Sequence, residues 1–278
     1  MDKQSRPDSE YIYLFSRGIL CLRGSDAETF LQGLITQNIE GLKEGELRYG
    51  AHLTPKGRII ADFFFFKTKE GLMLDVNASI LMKLATSLHG YKVSEDVEFH
   101  DMTEDFTILS DLEGEDGLQD PRLPKMGTRL YIQESKDTSG YKDEKEYTKQ
   151  RIHKCIPEFP FDGTEGTLAN EMRLEHLNGI DFEKGCYVGQ EITARTKHRT
   201  EPKRKLFYVR SSQLIKSNAD IVNESDRISG EVFTTLGQEG IALIKEQEVK
   251  TGSALFTSTH AIEAFTPKWA RPKKKSDS

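Results

Sequence analysis

Cysteine is scarce in this chain. Its 278 residues carry three, Cys21, Cys155 and Cys186, odd in number and far apart. That excludes a disulfide framework. There is also no C-x-x-C pair, no H-E-x-x-H stretch and no cluster of histidines and cysteines. The chain by itself therefore offers neither a structural zinc site nor four thiolates for an iron–sulfur cluster. Long apolar runs are missing too. The longest, "IIADFFFF" at 59–66, is of strand length and carries an aspartate, against the ~18 residues a membrane helix needs. The opening "MDKQSRPDSE" has neither the apolar core of a signal peptide nor an Arg-rich, acid-poor transit pattern. A cytoplasmic, bacterial-type protein with no membrane partner is the expectation. Positive charge is in deficit: 39 Lys and Arg face 45 Asp and Glu, a net charge of −6. This argues against a general nucleic-acid binder, although a local basic patch is compatible with it.

What is present reads as a soluble globular protein of two or more packed units, 36% hydrophobic and 30% charged. Two short strands are expected at Tyr11–Phe15 and Ile19–Leu22. A helix follows at "SDAE", where Ser25 and Glu28 have capping-box spacing and Phe30, Leu31, Leu34 and Ile35 form one apolar face. A hairpin runs through Arg58–Phe66, a turn at 69–71 and Leu72–Val76. Asn77 caps a helix that Gly90 ends. Further strands are expected at Val93–Phe99, Phe106–Leu109 and Arg129–Gln133, with an acidic loop at 113–124 and a charged surface helix at 141–155. The basic stretch 195–205 reads as a linker. Beyond it Leu206–Val209, Ile241–Ile244 and Ser253–Phe256 are short strands of a small β-barrel, and the end is a cationic tail. This is an α+β pattern: an α+β region over 1–200 made of two interleaved units, a barrel over 201–267, and a basic tail over 268–278.

Chemistry concentrates in "EKGCYVGQE", 183–191. A thiol reacts and ligates as its thiolate, which a nearby cation or a helix amino terminus favours. Lys184 lies two residues before Cys186, and "GQEITARTK" is helix-compatible from just after Gly189. Gly185 and Gly189 permit a sharp turn and a close approach by another molecule. Spacing alone leaves two other readings open: a buried thiol in a tight loop, and a Cys–His pair with His176 or His198 as base. Cys21, which alternates with Ile19, and Cys155 read as structural.

"KGCYVGQE" followed by "ITARTKHR" resembles the signature of the YgfZ family, matching it at Lys184, Gly185, Cys186, Tyr187, Gly189, Gln190 and Glu191. The neighbouring "RLEHLNGIDFEKGCY" and "CIPE" resemble that family's layout as well. The family's eukaryotic relatives are mitochondrial iron–sulfur assembly factors. Its architecture is similar to that of the glycine-cleavage T-protein, an aminomethyltransferase that uses tetrahydrofolate. The resemblance implies a T-protein-like fold, with a ferredoxin-like domain, a second α+β domain and a C-terminal β-barrel around a central opening. A pterin would lie in that opening, with the thiol loop at its rim.

The resemblance also implies roles. Cys186 would be the working residue, as a transient ligand of a shared iron–sulfur cluster or as a thiol that repairs oxidised partners, with Lys184 and Tyr187 beside it. Tyr187 would shield the thiol or stack on a ligand, and Gln190 and Glu191 would anchor the loop. Tetrahydrofolate would meet Asp62 and Glu171, with Arg195, His198 and Arg199 near its anionic tail. T-protein relatives carry two consecutive aspartates where this chain has Ala61 and Asp62, which weakens the expectation of methylene transfer. The leading reading is an accessory factor in iron–sulfur cluster assembly, maintenance or repair, with assembly proteins or client enzymes as partners. A folate-dependent aminomethyl or one-carbon transferase and a non-catalytic folate-binding regulator are the alternatives.

Overall fold

A computed structural model of the chain describes residues 10–114, 116–133, 138–198, 202–257 and 260–271. The first sheet has five antiparallel strands in the order β3-β4-β5-β2-β6, formed by β2 (Arg17–Arg23), β3 (Arg48–Leu53), β4 (Ile59–Thr68), β5 (Gly71–Asn77) and β6 (Glu98–Asp101). Helices α1 (Ala27–Gln32) and α2 (Leu81–His89) pack against β5, β2 and β4, and α2 buries Leu81, Leu84 and Leu88 at helical spacing. A second sheet runs β1-β7-β9-β8, from β1 (Ile12–Tyr13), β7 (Thr107–Asp111), β8 (Leu118–Gln119) and β9 (Thr128–Ile132). Helices α3 (Lys145–Lys154) and α4 (Gln190–His198) precede the barrel.

The barrel closes through β10 (Arg204–Arg210), β13 (Glu239–Lys245), β12 (Ile228–Leu236), β11 (Asp220–Asn223), β14 (Leu255–Phe256) and β15 (Ala261–Phe265), with α5 (Glu246–Thr251) between β13 and β14. Its strands show the two-residue period of a sheet with two apolar faces. Phe207, Ala242 and Ile244 point into the barrel's own core, while Leu206, Ile241 and Leu243 join the main core.

The hairpin and the cap at Asn77 follow the sequence pattern: Asn77 Oδ1 accepts from Ser79 N at 3.0 Å. The capping box does not form. Ser25 instead donates from N and Oγ to Asp96, and Glu28 pairs with Lys67. The strand expected over 93–99 shrinks to β6, because Glu95 accepts from the Val93 and Ser94 amides and bends the chain, leaving Val93 90% exposed. Helix α3 is no mere surface element, since it buries Tyr147, Arg151 and Ile152. Of the basic stretch, 195–198 form the last turn of α4 and 204–205 start β10, and Lys268–Ala270 form a 3-10 turn. In that turn Trp269 donates to Lys154 O at 2.6 Å.

Where the two sheets face each other, the interior is filled with charge. Arg17 on β2 and Arg129 on β9 both pair with Asp75 on β5, while Arg122 pairs with Asp120 and Glu158, and Arg151 with Asp162. All four guanidiniums are buried, and the Phe64 ring lies under Arg122 and Arg129 at 4.6 and 4.0 Å. Burial alone would raise the Glu158 carboxyl, but Arg151, Arg17, Arg122 and Arg129 hold it well below the carboxylate range. Side chains therefore occupy the space between the sheets.

Candidate functional site

The thiol loop is held by several fasteners. Asp181 Oδ1 accepts from the Glu183 and Lys184 amides at 2.8 and 3.3 Å, an Asx-type turn that sets the loop's direction. Lys184 then turns inward. Its ammonium donates to the carbonyls of Gln32, Ile35 and Gln37 at 2.7, 2.8 and 2.9 Å, so it ties the loop to the chain that leaves α1. Burial lowers its pKa to about 8, with Asp181 and Glu40 opposing. The Val188 amide donates to Gly33 O at 3.1 Å. Gly189 has φ +86°, and a Cβ there would lie 2.7 Å from Thr54 O, so this position needs glycine. Helix α4 begins at the next residue, as the sequence pattern implied.

Cys186 stands at the exposed apex between two buried neighbours, Lys184 and Tyr187. Cys21 and Cys155 are buried. Burial pushes the Cys155 thiol far above its ordinary range, which keeps it inert.

No hydrogen bond or ion pair joins Lys184 to the thiol among the described residues; its donors are spent on carbonyls, which makes it a fastener. Gly185 has open space around it and no left-handed backbone, so nothing in the geometry demands glycine there. Tyr187 packs into the main core, with Lys184 Nζ 5.3 Å from its ring centroid; burial raises its phenol to about 12. Gln190 opens α4 through its amide, which donates to Tyr187 O at 3.2 Å. Glu191 pairs along the helix with Arg195 at 2.7 Å, both side chains exposed, so it does not anchor the loop.

The residues expected to hold folate lie apart. Asp62 is 1% exposed, and its oxygens accept from Tyr49 OH at 2.7 Å and from the Phe159 amide at 3.1 Å. Burial raises its pKa to about 6, against the pull of Arg17 and the Tyr49 hydrogen bond. Glu171 accepts from the Leu168 amide and from Arg204 Nε, both at 2.9 Å, and so ties the first strand of the barrel to the segment at 168–171. Arg195 is committed to Glu191, His198 closes α4, and Arg199 lies outside the described residues. As placed, these side chains do not fit a pterin: the carboxylate meant for its amide edge is enclosed and bonded to protein. Sequence reasoning missed Tyr49, the carbonyl trio at 32–37 and the arginine network. A helix that ends at "LQGLITQN" leaves carbonyls free, which is the one local signal for the lysine's berth.

Residues 16–114 match the family model of the GCVT N-terminal domain, and residues 203–272 that of the CAF17 C-terminal β-barrel domain. The chain is 31% identical over 227 residues to the mitochondrial iron–sulfur cluster assembly factor IBA57 homolog of Neurospora crassa, covering 70% of this chain and 52% of that protein. It is 28% identical over 300 residues to the mitochondrial iron–sulfur cluster assembly factor IBA57 of Mus musculus and 27% over 298 to that of Homo sapiens. Both alignments cover 92% of this chain and 84% of the relative. The chain is thus similar in sequence to the IBA57 iron–sulfur cluster assembly factors. It spans about half the length of the relatives from Neurospora crassa and Mycosarcoma maydis. These IBA57 proteins are mitochondrial, which overturns the cytoplasmic expectation. The crystal structure of glycine cleavage system aminomethyltransferase T from Bartonella henselae shares the fold, with a TM-score of 0.70 at 14% identity over 95% of this chain and 87% of that one. The T-protein-like α+β fold with a closed six-stranded C-terminal barrel is thus the architecture of this protein.

Proposed function

We propose that this protein is an accessory factor in iron–sulfur cluster assembly or repair and that it acts through the Cys186 thiol. The observation that carries the reading is the presentation of that thiol: the one exposed cysteine of the three, on a loop fastened at both ends, in a homologue of IBA57. One thiolate fills one coordination position, and among the described residues no group of three or more His, Cys, Asp and Glu side chains could hold a metal ion. A cluster handled here is therefore cargo shared with an assembly protein or a client enzyme, which supplies the remaining ligands. The fixed loop keeps the thiol accessible and lowers the entropy lost when a partner docks.

Complementation tests this. In a host lacking its own factor, the wild-type chain restores the activity of iron–sulfur enzymes and Cys186→Ser does not, while the variant's unfolding free energy in urea stays within about 0.5 kcal/mol of wild type, as for an exposed site. Equal rescue by both would remove the thiol from the mechanism.

Tetrahydrofolate binding is a separate proposal, and the enclosed Asp62 lends it no support. Equilibrium dialysis against 5-formyltetrahydrofolate, with wild type and Asp62→Asn, tests it: saturable binding that the variant loses would mean that the Tyr49–Asp62 contact opens to admit the pterin. The same enclosure weighs against Asp62 as the working acid of a one-carbon transferase.

A further inference from the structure

Away from the thiol loop, a groove of about 670 Å³ opens where three parts of the fold meet: the turn at Pro124–Met126, the end of α3, and β10 and β15 with the segment after them. Its charge is one-sided. Lys125, Lys154, Lys268 and Arg271 line it, and none of the four makes an ion pair among the described residues. The carboxylates nearest in the fold are already engaged: Glu239 accepts from His153 and Tyr208, and Glu263 pairs with Arg210. Burial, together with the Lys125 ammonium, holds Lys154 below the usual lysine range, so the two like charges repel each other.

Beside these cations stands an aromatic wall. Trp269 is fixed by its indole N–H on Lys154 O and by a tilted contact with His176 at 6.3 Å, and Tyr208 and Phe265 meet at 5.9 Å. All three rings line the groove.

We propose that this groove binds a small ligand that joins a flat aromatic ring to a phosphate chain, the chemistry of a nucleotide. Its volume lies within the usual range for small-molecule sites. Four unneutralised cations match a di- or triphosphate better than a single carboxylate, and the aromatic wall gives a ring a surface to stack on. The only thiol in the groove, Cys155, is buried and inert, so the site binds without reacting. The proposal is independent of the role given to Cys186.

The chain's single tryptophan is Trp269, so intrinsic fluorescence reports on the groove directly. The full chain is titrated with ATP, GTP, inorganic tripolyphosphate and 5-formyltetrahydrofolate, with calorimetry as a second readout. A nucleotide is expected to change the fluorescence saturably and to bind more tightly than tripolyphosphate. The Lys125→Glu/Lys154→Glu double variant should weaken it by about tenfold or more. Should that variant not fold, Lys125→Gln/Lys154→Gln serves in its place. Four results would each overturn the proposal: no saturable binding of any nucleotide, equal affinity for tripolyphosphate, tighter binding of the folate than of any nucleotide, or unchanged affinity in the double variant.

Discussion

Asp62 is a buried acid without an ion-pair partner of its own; it is held by a phenol and a backbone amide. Its pKa of about 6 in the folded protein, against 3.8 for the free side chain, has a definite sign in stability. Between those two values the folded state keeps a proton that the unfolded chain has released. Asp62's favourable contribution is therefore complete below about pH 3.8 and is lost as pH rises through about 6. Two units correspond to about 3 kcal/mol. Asp62→Asn keeps an acceptor for the Phe159 amide, while the Tyr49 hydroxyl rotates to receive the new donor. The variant should be more stable than wild type by about 1–3 kcal/mol at pH 7.5, and the difference should shrink toward zero at pH 4. Urea denaturation across that range measures it; a difference that grows on acidification would reverse the assignment. The sequence betrayed this residue only by its place, an acid in step with apolar neighbours on a strand. It could not show that Tyr49, thirteen residues away, would close over it. Lys184 is a similar case. Chain proximity to Cys186 suggested electrostatics, but a lysine that meets three free carbonyls goes to them.

At the scale of elements, the junction between the thiol loop and α4 rests on Gly189. A methyl group there meets the Thr54 carbonyl and Leu53, and φ +86° strains any L side chain. Gly189→Ala should destabilise the protein by about 1–3 kcal/mol and loosen the apex. Cys186 should then react faster with a thiol reagent, at native urea concentrations, than it does in wild type. Unchanged alkylation kinetics would mean that the Asx-type turn at Asp181 and the lysine berth suffice to hold the loop. The elements legible from the sequence were those with strong local signals: the phenylalanine-rich hairpin, the Asn77 cap and the start of α4. Strand β3 was missed because "RYGAHL" carries a glycine, a histidine and an arginine; partners on β4 and the Thr36 hydroxyl, which receives the Ala51 amide, make it a strand. The barrel strands β11 and β12 were missed likewise, since their polar residues face solvent and their pairing is a property of the closed ring.

In the whole molecule the buried charge network connects every layer. Arg17 and Asp75 come from the first sheet, Arg129 from the second, Arg151 from α3, and Arg122, Asp120, Glu158 and Asp162 from the loops. Asp162 also receives the Thr234 amide of the barrel at 3.3 Å. Glu158 stands near the centre, within reach of Arg122, Arg129 and Arg151, and it accepts from Tyr147 at 2.6 Å. Glu158→Gln should lower stability by about 3–5 kcal/mol, because it leaves guanidiniums in the interior with too little counter-charge. A loss below about 1 kcal/mol in urea denaturation would mean that packing alone holds the layers together. Nothing in the sequence announced this network: Asp120, Arg122 and Arg151 lie in stretches that read as acidic loop and surface helix, Asp75 and Arg129 lie on expected strands, and only the folded chain brings them together.

The lysine berth also imposes an order in time. Lys184 and the carbonyls it grips are 147 to 152 residues apart in the chain. The loop cannot take its final shape until the first sixth of the polypeptide has folded and the residues near 190 have left the ribosome. A nascent or misfolded chain therefore carries Cys186 on a slack segment, and a partner that requires a rigidly offered thiol will distinguish finished molecules from unfinished ones.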